Sequence, residues 1–329
     1  QVTGIARRIR DWTSLDAQRW TAIGTDKKLY LWQSETLYNI TPLRDSGTLT
    51  APFDTVISSS IVTVNHTNHG CQVGDYVIFS NAIAGGGITV EGEYTVATVV
   101  DENSYTIVDD EVATSTANNT GGTPNYEYEI SIGESSVVTS SGYGTGPYGA
   151  EGYGNARTGS TLVVGIRTWS LDNWGEDLLA NPRGGAIYWW DRSKGTGSRA
   201  TALGGDAPPT CQFMLVSQRD RHVLALGAYD YFNNAIDPLL IRWCSTEDLN
   251  DWVPTSTNTS GDLRLYSGSK IVAGVRSRLE TIVFTDVSVH TLPFVGGFDV
   301  FGLNIVGENV SILGPNCAVP VDSRVFFMA

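Results

Sequence analysis

The run Trp20-TAIGTDKKLYLW-Gln33 decides the fold: a short apolar strand, a polar turn at Asp26-Lys27, then a second apolar strand. β-Branched and aromatic residues bounded by Gly, Asp and Lys read as an antiparallel hairpin. The pattern returns as Cys211-QFMLVSQRDRHVLALG-Ala228 and as Ile271-VAGVRSRLETIVFTD-Val287. A looser version is Trp169-SLDNWGEDLLANPRGGAIYWW-Asp191, and another copy begins at Cys317-AVPVDSRVFFM-Ala329. The starts fall near 20, 169, 211, 271 and 317, so the last three gaps are 42, 60 and 46 residues. The first gap is 149, but the 110 residues of 51–160 differ in composition, and without them 39 remain. A period of roughly 40–50 residues with several strands per repeat predicts propeller blades, small sheets that bury their faces by stacking around an axis.

The expected fold is therefore mainly β: a β-propeller carrying an inserted small antiparallel β-barrel. The last copy of the pattern breaks off at Phe326-Phe-Met-Ala329, so the propeller is expected to be incomplete in this chain, finished by further polypeptide or by a second chain. The expected domains are a first blade region (1–50), the barrel (51–112), an acidic Gly/Tyr-rich connecting segment (113–160) and further blades (161–329).

Charge marks the insertion. The 329 residues carry a net charge of −14. Residues 1–50 have seven basic and five acidic groups; residues 51–160 have thirteen acids against Arg157 alone; residues 161–329 have thirteen basic and seventeen acidic groups. A block of one sign reads as a separate surface. Lysine is confined to Lys27, Lys28, Lys194 and Lys270, which argues against a general nucleic-acid binder, because such a protein needs a basic face for the phosphates. No apolar run approaches the ~20 residues of a membrane span. Cys71, Cys211, Cys244 and Cys317 lie far apart with no CxxC, and read as buried thiols in a reducing compartment.

Inside the insertion, Ile61-VTVNHTNHGCQVGDYVIF-Phe79 and Gly92-EYTVATVVDENSYTIV-Val108 alternate as strands, with Val62 and Val64 on one face and Val77 and Phe79 on another. Beyond it lies Ser140-SGYGTGPYGAEGYG-Asn155. A pure linker has no use for three tyrosines, so Tyr143, Tyr148 and Tyr153 are expected to bury area against another domain or subunit. The concentrated acids, among them Asp101, Glu102, Asp109 and Asp110, are expected to form an outward dock for a basic partner such as a fibre or adaptor segment.

Several of these stretches resemble one family. Arg10-DWTSLDAQRWTAIGTDKKLYLWQSETLYNITPL-Arg44 is similar to the first blade of tail nozzle proteins of short-tailed phages, also called tail hub or packaged-DNA stabilisation proteins. The run from Gly142 to Gly154 and Arg167-TWSLDNWGEDLLANPRGGAIYWW-Asp191 resemble the same family. His69-Gly70 followed by Val73-Gly74-Asp75-Tyr76-Val77 resembles a domain named after a half-domain of ubiquitin-activating enzymes, which phage virion proteins carry as an insertion. The resemblance implies a virion tail protein assembled in the bacterial cytoplasm. It implies a ring of identical subunits, six in number, below the portal and adaptor proteins, bearing fibre or tip proteins and passing genomic DNA without reading its sequence.

Residues with catalytic or ligating chemistry are sparse. His66-x-x-His69 with Cys71 lacks a defined tetrahedral set and reads as turn histidines, so no metal and no cofactor is expected. Asp109-Asp110-Glu111 lacks the alternating oxygen spacing of calcium loops. The rival reading is a propeller glycosidase or a carbohydrate- or receptor-binding tail protein. Ser245-TEDLND-Trp252 approximates the Asp-box turn of sialidases, with Glu247 and Leu249 where Asp and Gly belong. Glycosidic cleavage needs two carboxyl groups at a set separation, and no pair stands out. The sequence thus predicts a structural protein with no catalytic residue, not an enzyme.

Overall fold

The computed structural model describes residues 2–132 and 168–329, apart from positions 279 and 323. They fold almost wholly as antiparallel β-sheet. Two compact units result, one built from 1–37, 132–192 and 202–329, the other from 38–131 and 193–201.

The first unit is a succession of up-and-down sheets. Ala6–Thr13, Arg19–Thr25, Leu29–Gln33 and Thr36–Asn39 pair in that order. So do Trp169–Trp174, Asp177–Pro182, Tyr188–Trp190 and Thr201–Ala202. A third sheet runs Cys211–Ser217, His222–Asp230, Leu240–Trp243, Gly261–Arg264, and a fourth Ile271–Arg276, Glu280–Thr285, Ser288–Pro293, Asn304–Glu308. Ala318–Val321 and Arg324–Phe327 begin a fifth. The opening strand of each sheet lies beside the opening strand of the next, which is the blade order of a propeller. Apolar side chains fill the spaces between blades, such as Leu226, Ile241 and Ile271 between the third and fourth.

The repeat is visible at single residues. In the first blade Thr25 Oγ1 accepts from the backbone N–H groups of Lys27 (3.1 Å) and Lys28 (2.8 Å), while Asp26 Oδ1 accepts from Ile5 N (2.6 Å). In the fourth, Thr285 Oγ1 accepts from Val287 N (3.2 Å) and Ser288 N (2.9 Å), while Asp286 Oδ1 accepts from Ser269 N (2.8 Å). A Thr-Asp pair thus closes the same turn twice, because short polar side chains satisfy backbone donors that the reversal leaves free. The turn also corrects the phase of the repeat: residues 20–33 are the second and third strands of their blade, whereas 211–228 and 271–287 contain the first and second. Blade contact demands one glycine in particular. A Cβ on Gly24 would lie 2.4 Å from Trp169 Cδ1, and Trp169 Nε1 donates to Thr25 O (2.7 Å).

The second unit holds two antiparallel sheets over a core of Phe53, Val62, Val64, Val77, Phe79, Tyr105 and Ile107. One sheet has the order Thr98–Asp101, Ser104–Val108, Ile61–Asn65, Phe53–Thr55, Ala117–Thr120; the other has Leu43–Thr48, Asn125–Glu129, Tyr76–Ser80, Gly92–Thr95. Four segments (43–55, 61–80, 92–101 and 117–129) pass from one sheet to the other. The expected barrel is therefore not a single closed ladder; pairing is interrupted at these corners and the strands are shared between two sheets. At one corner a Cβ on Gly121, whose φ is +96°, would meet Phe53 Cδ2 at 2.2 Å. The unit also reaches past the expected span of 51–112 on both sides. Leu43–Thr48 pairs with Asn125–Glu129, and buried Glu129 is held by Arg199 at 2.8 Å.

Candidate functional site

In the blade unit, charged side chains meet where the opening strands converge. Asp172, on the opening strand of the second blade, is 9% exposed. Arg10 of the first blade reaches its Oδ1 at 2.8 Å, and Arg276 of the fourth reaches its Oδ2 at 3.0 Å. Val216 N of the third blade donates to Oδ2 (3.1 Å) and Asn173 N to Oδ1 (3.0 Å). Four blades are therefore joined through one carboxylate. Arg276 also donates to Val216 O (2.6 Å), and Arg10 to Asn173 Oδ1 (2.8 Å), which takes a further bond from Gln218 Nε2 (2.9 Å).

Arg8, two residues before Arg10, bonds Asn316 Oδ1 at 2.7 Å. Burial first, and then repulsion by Arg10, pull its pKa below the ordinary value, while Asp172 opposes them. Three guanidinium groups against one carboxylate leave the cluster with an excess of two positive charges. Arg10 and Arg276 remain 31% exposed, so they are open to a solute.

Two clefts flank the cluster. The larger, about 300 Å³, is lined by Arg219, Arg276 and Arg278, by Phe294 and Phe301, and by Asp220 and Glu280. The smaller, about 250 Å³, is lined by Asn173, Trp174, Gln218 and Arg221. Guanidinium forks recognise carboxylates bidentately, amides give orientation, and aromatic faces accept the apolar face of a ring. The arrangement suits a small acidic, ring-shaped group. The Ser245–Trp252 turn of the third blade is structural: Trp252 is fully buried and donates to Leu249 O (2.7 Å), while Glu247 pairs with Arg221 (2.8 Å) of the smaller cleft.

The second unit holds a polar aromatic cluster. Arg44 donates to His69 O (2.9 Å) and Cys71 Sγ (3.3 Å) and lies 5.1 Å over the Tyr128 ring. His66 Nδ1 meets Tyr128 Oη at 2.7 Å, and Tyr128 meets Tyr105 Oη at 3.0 Å. Burial lowers the pKa of His66 and raises those of Cys71, Tyr105 and Tyr128. His69 accepts from Cys71 N at Nδ1 (3.0 Å) and donates from Nε2 to Asp101 O (3.0 Å), so both ring nitrogens are engaged.

The acidic residues predicted as one dock are not brought together. Asp101 ends the strand Thr98–Asp101 and Glu102 sits in the turn before the strand Ser104–Val108, while Asp109 and Asp110 follow its other end, roughly 17 Å away at about 3.4 Å per residue. Asp101 Oδ1 accepts within its own turn from Asn103 N (2.8 Å) and Ser104 Oγ (2.9 Å). Asp109 is buried and accepts from Tyr94 Oη (2.7 Å). Tyr143, Tyr148 and Tyr153 lie outside the described residues. The Arg10–Asp172–Arg276 cluster was missed by sequence reasoning. Its one trace is the strand Ala6–Thr13, where Arg8, Arg10 and Trp12 share a face.

Comparison with known proteins identifies the second unit. The family described as the β-barrel domain of bacteriophage endosialidase matches residues 46–128. A tail spike protein of an Escherichia phage is 35% identical over 80 residues, 24% of this chain and 10% of that protein. The chain therefore spans about a tenth of the length of this relative. Among solved structures, the phage phi92 endosialidase aligns over 96% of this chain and 52% of its own, at 14% identity and a TM-score of 0.31. The chain is a phage tail-associated protein with a domain related to the endosialidase β-barrel. Its relatives are tail spikes and endosialidases, not nozzle proteins in particular, and the barrel matches that family in place of the half-domain of ubiquitin-activating enzymes. The expectation that the chain is not an enzyme is corrected by the same finding, since the matched domain belongs to a family named for an enzyme.

Proposed function

We propose that the protein engages host-surface polysaccharide as a tail-spike-like component, with acidic sugars as the class it takes. The observation that carries this reading is the match of residues 46–128 to the endosialidase barrel. The surplus of guanidinium groups beside an aromatic-walled cleft in the blade unit supports it, because an acidic sugar offers a carboxylate for Arg276 and a ring face for Phe294. The test is retention and depolymerisation: purified protein incubated with an oligomer of sialic acid and with a neutral dextran. Selective retention or shortening of the acidic polymer is expected, and equal indifference to both would remove the reading.

A second reading is the ring-shaped nozzle or hub, a homo-hexamer through which DNA is retained and ejected. It is supported by the blade order of the first unit and by the sequence resemblance of residues 10–44 and 167–191 to nozzle proteins. Its partners would be copies of itself, portal-adaptor proteins above and fibre or tip proteins at the side. The particle mass of the native protein separates the two, because the nozzle reading requires a large ring.

A further inference from the structure

We infer that the outer face of the five-stranded sheet in the second unit docks a partner protein whose contact surface is apolar at its centre and basic at its rim. Along Ile61–Asn65 and Ser104–Val108, Val62, Val64, Tyr105 and Ile107 turn into the core. The alternate residues turn outward, and Ile61 stands opposite Val108, Thr63 opposite Thr106. Ile61 is 51% and Val108 54% exposed. An antiparallel sheet with one solvated face ordinarily turns polar residues outward. Here one end of that face is aliphatic, at Ile61 and Val108, while Thr63, Thr106 and Asp54 keep the rest of it polar.

The adjoining turns enlarge it. Val56 (58% exposed), Ile57 (57%) and Val112 (55%) lie in segments tied by Ser58 N to Ala113 O (2.8 Å) and Ala113 N to Ser59 O (2.9 Å). Five aliphatic side chains, each more than half exposed, thus cluster at one end of one sheet. Single exposed apolar residues are ordinary, but a contiguous patch of this kind marks an interaction surface.

Charge decides what covers the patch. Residues 38–131 carry Arg44 as their single basic group against twelve acids. Asp110 and Glu111 border the patch directly, and Asp54 lies on the neighbouring strand, opposite Thr63. A second copy would bring the same acids face to face, and like charges at an interface rim oppose association. A basic rim answers them, while an apolar centre covers Ile61 and Val108.

The test places a photocrosslinking amino acid at Val108 in assembled phage tails. Val73, also exposed at 66% but in a turn away from the patch, serves as control. The expected result is about tenfold more cross-linking at 108 than at 73, to a tail protein whose linked peptide contains Lys or Arg beside apolar residues. The yield should fall severalfold when tails are formed at high salt, where the Debye length shrinks from about 10 Å to a few ångström. Cross-links solely between copies of this chain, to an acidic peptide, or no more at 108 than at 73 would each overturn the inference.

Discussion

Replacing Asp172 by asparagine keeps the side-chain volume and removes the charge that joins four blades. The variant leaves Arg10 and Arg276 facing each other without a counter-charge and weakens the bond from Val216 N. Removing one partner of a buried ion pair costs about 3–5 kcal/mol. Both arginines are 31% exposed, so hydration recovers part of that, and we expect about 2–3 kcal/mol. For a unit of this size each kcal/mol moves the melting temperature by about 2–4 °C, which predicts a drop of about 5–10 °C. The assay is thermal and urea unfolding of the full chain, with a double-mutant cycle through Arg276→Met. In the R276M background D172N should cost about 1 kcal/mol less, because one stranded guanidinium is gone. A shift below 1 °C in D172N, or strictly additive effects, would refute the carboxylate as the blade junction.

Three further outcomes follow from the packing. Gly24→Val should destabilise the first blade by at least 2 kcal/mol, since its Cβ lies within 2.4 Å of Trp169, and limited proteolysis should show earlier cleavage there. Burial lowers the pKa values of His66, His222 and His290, so the unfolded chain binds more protons than the folded one below the ordinary histidine value of about 6.5. Stability is then fully present above about pH 6.5 and is lost as pH falls through that value toward the folded-state values; melting scans from pH 7.5 to 5.5 should show this, with a shallower slope in His66→Gln. Burial pushes the Cys211 and Cys244 thiols up to about 12, so a thiol reagent at pH 8 should modify half-buried Cys317 first and the other two only after denaturant is added.

The blades were legible because strand–turn–strand runs recur at 20, 211 and 271, but their phase was not: only the paired turns Thr25-Asp26 and Thr285-Asp286 in the structure show which strands correspond. The edges of the inserted unit were hidden. Ala117–Thr120 is Ala-Asn-Asn-Thr, which has no apolar alternation, and Leu43–Thr48 carries Arg, Asp, Ser and Gly. Both become strands through partners far along the chain, Phe53–Thr55 and Asn125–Glu129. The arginine cluster was illegible for the same reason: Arg10, Asp172 and Arg276 meet through the closure of blades, and no local spacing relates them. The acidic block, clear in composition, concealed the aliphatic end of a sheet face, because alternation assigns Ile61 and Val108 to solvent only once the inward face is known.

The role proposed for the blade cleft rests on the chain taking acidic polysaccharide. The most direct measurement is calorimetric titration of the purified chain with a defined sialic acid oligomer, run beside R276M and the patch variant Val108→Ser. Saturable binding by the native chain is expected, weakened at least tenfold in R276M and unchanged in V108S. No saturable heat with the native chain, or equal binding of a neutral oligosaccharide of the same length, would contradict it.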